Sequence, residues 1–244
     1  NRYKNIKNIF IAISTDTLQY FKHSLPKTLN NNCILLHNSI QFDRFESNKI
    51  RYINKNKPLR LISTGSFVPK KNQMFLVDVV SSLIQKGISV QLTLLGDGKD
   101  FEKIKTHISE HALSEFICMP GNVNNVEDYL SNSDIYVHSA TYEPFGLALL
   151  EAMASGLPVV CLDGFGNRDI LINGENGYII SNNDKNQFID KLLKLYDDNE
   201  LYSRLSSNAK QFAKQFDIKN YVDKLIEIYT QNIKRNATPN NTNG

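Results

Sequence analysis

The chain has 244 residues, of which 41% are hydrophobic and 22% charged, enough for one large domain or one domain plus part of another in the balance of a soluble globular protein. A net charge of +3 is too small to argue for a nucleic-acid partner, and no apolar run approaches the roughly 20 residues that cross a bilayer. Cys33, Cys118 and Cys161 are far apart, with no paired spacing suited to zinc, and read as reduced core or near-core thiols of a cytoplasmic protein.

The chain opens on NRYKNIK, without Met and directly before a strand-like run, as a chain entered in the middle of a fold would. NIFIAIS (residues 8–14) predicts a buried strand and DTLQYFKHSL (16–25) a short helix capped by Asp16. CILLHNSI (33–40) is strand-like, and the polar, basic 45–58 stretch reads as a linker. From Leu59 strands and helices alternate. LRLISTGSF, SVQLTLLGDG, FICMPG, DIYVHSA, LPVVCLD and NGYIIS predict strands. Segments 72–87, DFEKIKTHISEHAL and NVEDYLSNS predict the helices between them. Helical segments at 185–197, 200–216 and 219–234 close the pattern, and the Asn-rich end predicts a disordered tail. Its NAT and NNT triplets read as chance matches to the glycosylation signal. Continuous apolar strands alternating with helices imply an α/β fold, a Rossmann-like parallel sheet covered on both faces. Such sheets bind ligands beyond the carboxyl ends of their strands. That puts functional residues at 65–71, 96–98, 120–122, 139–145 and 163–169.

The stretch TYEPFGLALLEAMASGLPVV (141–160) holds Glu143 and Glu151 in an otherwise apolar run. Pro144 suits a first helical turn. Projected at about 100° per residue, the helix sets Leu147, Ala148, Ala154 and Ser155 around Glu151, with Leu149, Met153 and Leu157 opposite. Large residues then face the sheet while small ones leave room beside Glu151. An unpaired buried carboxylate costs several kcal/mol, so a partner bearing hydroxyls or amides is expected. The free amides of the helix start favour a phosphate near Gly146–Ala148. Glu143 would repel one directly beside it and is expected to point at neutral hydroxyls. Phosphate at the backbone with a diol at each glutamate is the layout of a nucleotide-sugar. The competing reading makes Glu151 a surface residue of an amphipathic helix and Glu143 an ordinary loop acid.

EPFGLALLEAMASGLPVV resembles the E-x(7)-E signature of family 4 glycosyltransferases, retaining enzymes of the GT-B fold. GSFVPKKNQ (65–73) is similar to that family's phosphate-contact turn, and LLGDG, GNRDILINGENGY and HNSIQFDRF also fit, in order. The resemblance implies that Glu143 sits at the donor sugar and helps stabilise the transition state. It places Lys71 opposite the leaving diphosphate, where a fixed cation accelerates the step, and Glu151 at the ribose hydroxyls. The backbones of Phe145, Gly146, Leu147 and Ala148 contact sugar and diphosphate, Gly65 and Ser66 form the phosphate turn, and Pro120, Gly121 and Asn122 lie against the base. His138, at a strand end, is read as a contact or as structural.

Three positions depart from the pattern: Ser66 stands where the family usually has Arg, Asn38-Ser39 where it has Asn-Gly, and Phe165 for the first glycine of a Gly-Gly pair. Lys70 or Arg168 would have to supply the missing cation. The implied organisation is residues 1–45 as the tail of an amino-terminal acceptor domain, 46–234 as the nucleotide-sugar-binding domain and 235–244 as tail. The acceptor domain's glycine-rich loop and histidine have no counterpart, so the chain reads as a donor-binding fragment.

The activity implied is transfer of a sugar, with retention, from a nucleotide donor (UDP by family frequency) to a glycan or lipid-linked acceptor of surface polysaccharide. The alternative is a nucleotide-binding module without transfer. No metal or other cofactor is expected, since no Asp-x-Asp stands at a strand end. The lipid-linked acceptors of the family leave room for a peripheral contact at the inner membrane face, but the basic runs KNIKNIF and IRYINKNK are short and read as solvated surface. GDGKDF and GFGNRD lack the third glycine of a dinucleotide fingerprint. His23, His37, His107 and His111 show no paired motif and read as structural or exposed. Asp169 is read either as the ion partner of Arg168 or as part of the donor pocket, and Asp197-Asp198 as a solvated acidic pair.

Overall fold

The computed structural model describes residues 8–237, with side chains through Ile233. A small parallel sheet comes first. In it, β1 (Phe10–Ala12) pairs with β2 (Cys33–Leu35), and α1 (Thr15–Ser24) lies between them in sequence. Ser14 caps α1, its Oγ accepting from the Thr17 amide at 3.2 Å. The cap therefore falls two residues before Asp16, because the chain leaves β1 with Ser14 already extended (φ −148°, ψ 163°). A short α2 (Phe42–Phe45) follows and buries both of its phenylalanines. Residues 46–58 of the sequence-read linker have no regular element, yet the stretch is pinned: Ile53 is in the core, and its amide and carbonyl both bond the Asn199 side chain, at 2.7 and 3.1 Å.

The main body then runs β3 (Leu59–Thr64), α3 (Gln73–Gln85), β4 (Val90–Leu95), α4 (Phe101–Glu110), β5 (Ile117–Gly121), α5 (Val126–Ser131) and β6 (Ile135–His138). It continues through α6 (Leu147–Ala154), β7 (Val159–Leu162), β8 (Gly177–Ile180), α7 (Lys185–Asp197), α8 (Asn199–Ala213) and α9 (Ile218–Ala237). The six strands form one parallel sheet in the order β5-β4-β3-β6-β7-β8. Side-chain alternation builds a core on each face. Leu61, Val137 and Val160 enter one, with α3 and α7. Ile62, Tyr136 and Cys161 enter the other, with α6. Of the three thiols, Cys161 is buried and Cys33 half-buried, whereas Cys118 is exposed on the edge strand β5 and is not near-core.

Asp184 and Asp198 cap α7 and α8 by accepting from the amides of Gln187 and Leu201 at 3.0 and 2.9 Å. Asp198 is thus a cap rather than free acidity, and Asp197 pairs with Lys55 at 2.7 Å. Helix α9 runs through Ala237, three residues into the stretch read from sequence as tail. The basic residues 1–7 and the rest of that tail, 238–244, lie outside the described residues. Ile218, Val222, Ile226, Tyr229 and Ile233 recur at helical spacing on α9 and are exposed. No helix of the described residues is long and apolar enough to cross a membrane.

Strand order reverses once. The chain winds outward from β3 through β4 to β5, then returns to lay β6 on the other side of β3. The loops leaving β3 and β6 therefore diverge at a switch point, where a crevice forms in such sheets. The β4 loop supports them. Gly65 N–H donates to Leu95 O and Phe67 N–H to Asp97 O, both at 2.9 Å. A Cβ built on Gly96 (φ +126°) would lie 2.1 Å from Gly65 O, so this glycine permits backbone contact rather than cofactor binding. Replacing it adds both a clash and a strained φ. Gly96→Ala is predicted to lower the unfolding free energy by about 2–4 kcal/mol in urea denaturation.

Candidate active site at the sheet switch point

Lys71 ends the turn after β3, and Glu143 sits in the loop after β6. Their side chains meet across the switch point, Lys71 Nζ to Glu143 Oε2 at 2.5 Å. The backbones are joined as well: Thr141 N–H donates to Lys70 O at 2.9 Å and Ser139 Oγ–H to Lys71 O at 2.7 Å. His138, the last residue of β6, adds a second bond, Nε2 to Glu143 Oε2 at 3.1 Å. Glu143 is only 8% exposed and His138 2%.

Burial alone would raise the Glu143 pKa, but the hydrogen bonds from His138 and Lys71 outweigh it and bring it down to about 2. Burial, with the Lys71 charge, lowers the His138 pKa despite the opposing pull of Glu143, so the ring is neutral near pH 7 and donates Nε2–H to the carboxylate. His138 therefore reaches the site only through Glu143. Among the described residues Oε1 of Glu143 accepts no hydrogen bond. The carboxylate is fixed and charged, with one oxygen free.

The loop after β7 holds Glu143 from behind. Glu143 N–H donates to Gly164 O at 2.8 Å, and Gly166 N–H donates to Glu143 O at 3.0 Å. A Cβ on Gly164 would approach Glu143 Cβ to 2.8 Å, and one on Gly166 would come within 2.0 Å of Pro144 O. GFG is thus a backbone seat for the glutamate loop, a role that composition alone does not signal. Between those glycines Phe165 has φ +72° and ψ −72°, with Gly166 N–H bonded to Gly164 O at 3.0 Å, a strained γ-turn. A glycine would adopt this conformation freely, which gives the physical sense of the family preference there.

Helix α6 begins at Leu147 with Gly146 in the left-handed region (φ +106°) as its N-cap. Pro144 is outside the helix, contrary to the sequence reading, because Glu143 is held in a bridge to Phe165 of the β7 loop and Pro144 follows it in a bend packed against Gly166. The amides of Gly146, Leu147 and Ala148 have no acceptor among the described residues, leaving three donors at a positive helix end. The Phe145 side chain is buried, its ring 5.4 Å from that of His37 and nearly parallel, so only its backbone can face the rim.

Glu151 lies one turn further along α6. Leu149, Leu150 and Met153 are fully buried and Leu147 is exposed, so the large residues do face the sheet. Ala154 and Ser155 are buried too, and Ser155 Oγ–H donates to Phe45 O at 2.9 Å. The half-buried Glu151 carboxylate makes no hydrogen bond or ion pair within the described residues. Burial pushes its pKa up to about 7. The Arg44 charge opposes this and that of Glu127 adds to it. Arg44 is itself engaged by Glu127 at 3.0 Å and by Asn124 O at 3.1 Å. The described residues do not supply the partner expected from sequence.

The remaining candidates lie on the same rim. Gly65 and Ser66 open the β3 turn, and the Ser66 side chain is exposed without a protein partner. Pro120, Gly121 (φ +82°) and Asn122 end β5, with Gly96 N–H donating to Gly121 O at 2.9 Å. Of the two proposed substitutes for an arginine at position 66, one is held by an ion pair and the other is exposed. Arg168 binds Asp163 through two nitrogens, at 2.9 and 2.6 Å, and Lys70 lies 5.9 Å from the Tyr142 ring. Asp169 does not pair with Arg168. It accepts from the Thr15 amide at 2.5 Å and faces His37 Nε2 at 3.2 Å, tying the small sheet to the main one. No cluster of metal-ligating side chains is found at this rim among the described residues.

A parallel sheet of this order, with its site at the switch point, has the Rossmann-like form of GT-B glycosyltransferases. The structure of Anabaena HepE in complex with UDP-glucose superposes with a TM-score of 0.81 at 18% identity, over 92% of this chain and 64% of that one. That of the pneumococcal O-GlcNAc transferase GtfA, in complex with UDP and GlcNAc, gives 0.77 at 24% identity, over 96% and 48%. The sequence profile described as "Glycosyl transferases group 1" matches residues 44–212, and the chain belongs to that family. Among curated relatives, an uncharacterised glycosyltransferase of Methanocaldococcus jannaschii is 28% identical over 214 residues, 87% of this chain and 58% of its own. The poly(ribitol-phosphate) alpha-N-acetylglucosaminyltransferase of Staphylococcus aureus is 27% identical over 164 residues, 66% of this chain and 33% of its own. The chain thus spans between a third and three-fifths of the length of these two relatives.

The two glutamates have opposite effects on stability. Glu143, with its folded pKa depressed, contributes stability above the unfolded carboxyl range near 4.5, and this is lost as pH falls toward 2. Glu151, with its folded pKa raised, favours the folded state most below 4.5, and this is lost as pH rises through about 7. Glu151→Gln is therefore predicted to stabilise the chain more at pH 8 than at pH 5, by roughly 1–2 kcal/mol, as read from urea unfolding at the two pH values.

Proposed function

We propose that this chain is the donor-binding half of a retaining glycosyltransferase, and that the switch-point rim takes a nucleotide-sugar, with UDP the first nucleotide to test. The observation that carries the reading is the set of unmet groups in one place. Three helix-start amides without acceptors, a free Glu143 oxygen and an unpaired Glu151 match an anion flanked by hydroxyls. Ribose hydroxyls donating to Glu151 would supply the partner that the described residues do not. The diphosphate would lie on the Gly146–Ala148 amides beside Lys71, and the sugar hydroxyls would donate to Oε1 of Glu143. As the glycosidic bond breaks, negative charge grows on the diphosphate, where Lys71 and the amides stabilise it without reorganising. Lys71 must then divide its bonds between Glu143 and phosphate, and His138 keeps Glu143 oriented while it does so. An acceptor hydroxyl attacking on the face the diphosphate leaves would give retention.

Two surfaces favour placing the acceptor on a further domain of the intact protein: the apolar stripe of α9 and the two-stranded β1–β2 sheet. The acceptor class proposed is a glycan or lipid-linked saccharide of surface polysaccharide, in keeping with the Staphylococcus aureus relative's polymer substrate. A nucleotide-binding module without transfer is the second reading. It is favoured by Ser66, which leaves Lys71 as the rim's cation while Arg168 is held by Asp163.

Calorimetry with UDP, GDP and ADP tests the site, and transfer by the intact protein separates the two readings. UDP is predicted to bind and to release protons near pH 6.5, because hydroxyl donors favour the ionised form of Glu151. Glu151→Gln should remove that share of proton release and weaken binding about tenfold or more, the scale of hydrogen bonds to a charged group. If none of the three nucleotides binds the parent chain, the donor site is wrong. If binding and proton release are the same in the variant, the ribose role is wrong.

A further inference from the structure

A second cluster of chemistry lies outside this site, on α4. Ile104 and Ile108 are buried and fix the rotation of that helix. They leave His107 half-buried and Glu110 and His111 exposed on its outer face. These positions are i, i+3 and i+4, the spacing at which helical side chains meet. The sequence reading treated the two histidines as unpaired, yet their rings lie 4.0 Å apart. One ligand atom from each of the three residues lies within 4.8 Å of the other two. The helix runs back from the rim, so the cluster sits in its last turns at the far end of the sheet.

We propose that His107, Glu110 and His111 form a surface site for a divalent transition-metal cation of the Zn2+ type. Two imidazoles and one carboxylate suit such a borderline ion better than Mg2+ or Ca2+, which seek all-oxygen shells. A second feature prepares the ligands. His111 Nδ1 lies 2.9 Å from the backbone carbonyl of His107. As donor in that bond, Nδ1 carries the proton and leaves the lone pair of Nε2 for a metal, the arrangement by which ligating histidines are commonly held. The three ligand atoms need to close by about an ångström or more, from up to 4.8 Å toward the separations of a tetrahedral site with bonds of roughly 2.0–2.2 Å. Glu110 and His111 are exposed and have room to make that change by rotamer adjustment toward the half-buried His107. Water fills the remaining position. H-x-x-E-H also occurs in inverted zinc peptidases. Here the motif faces open solvent on a helix, and the proposal is binding alone.

The test is calorimetric titration of ZnCl2 into the parent chain, His111→Ala, His107→Ala and, as control, His23→Ala. One equivalent is expected to bind the parent and the control alike. Each substitution within the cluster should weaken that equivalent at least tenfold while leaving the circular dichroism unchanged. Zinc should also raise the melting temperature of the parent and not of His111→Ala, since an ion that binds only the folded state stabilises it. Absence of zinc binding by the parent overturns the site. So does binding undiminished in both cluster variants, which would move the ion elsewhere, to the exposed Cys118 for example.

Discussion

The rim depends on one buried carboxylate held from two sides. Glu143 is hydrogen-bonded by Lys71 from the β3 loop and by His138 from the end of β6, and its backbone is bridged to the β7 loop. Three strand-end loops are thereby fixed to one another at the point where strand order reverses. Breaking such a pair on one side leaves an uncompensated buried charge, which is far more costly than the pair is stabilising. The clasp is therefore better understood as setting geometry than as adding stability. It keeps a charged acceptor oxygen and a cation at fixed positions next to a helix start.

The two glutamates of α6 and its approach loop share a sequence stretch and have opposite electrostatics. Glu143 is satisfied by fixed donors and stays ionised to low pH. Glu151 is half-buried without a donor among the described residues, and burial raises its pKa to about 7. A general acid–base pair also has separated pKa values, but Glu143 is bonded to a cation and His138 is neutral, so the arrangement suits hydrogen-bond acceptance by both. It sets two carboxylates on either side of a helix start whose first amides have no acceptor among the described residues.

Most of the fold is legible from sequence because it rests on local periodicity. The continuous apolar run at residues 159–162 requires burial on both faces, and the strand–helix alternation leaves few alternatives to a parallel sheet. The start of α6 was misread for a specific reason. Proline propensity favours Pro144 at a helix start, but the bridge between Glu143 and Phe165 ties the chain to the β7 loop, residues 144–145 bend, and the helix begins only after Gly146. The ladder-like contacts of Gly164 and Gly166 are equally invisible in one dimension, since they depend on two loops meeting from distant parts of the chain. For Asp169 the sequence leaves open an ion pair with its neighbour Arg168 or a place in the donor pocket, whereas the structure gives Arg168 to Asp163 and Asp169 to Thr15 and His37. On α4 the reverse holds: the i, i+4 spacing of His107 and His111 was present in the sequence, and what the structure adds is that both lie on the outer face.

The central claim is that Glu143 is a permanently charged, clasped acceptor while Glu151 awaits its partner from a ligand. Carbon-13 NMR of the side-chain carboxyls, assigned with Glu143→Gln and Glu151→Gln, follows each group through a pH titration with and without UDP. The account predicts that Glu143 stays ionised down to the acid limit of the folded state. Glu151 should titrate near pH 7 in the free chain and at a clearly lower pH once UDP is bound. Ordinary titration of both carboxyls near 4.5, unaltered by UDP, would contradict it.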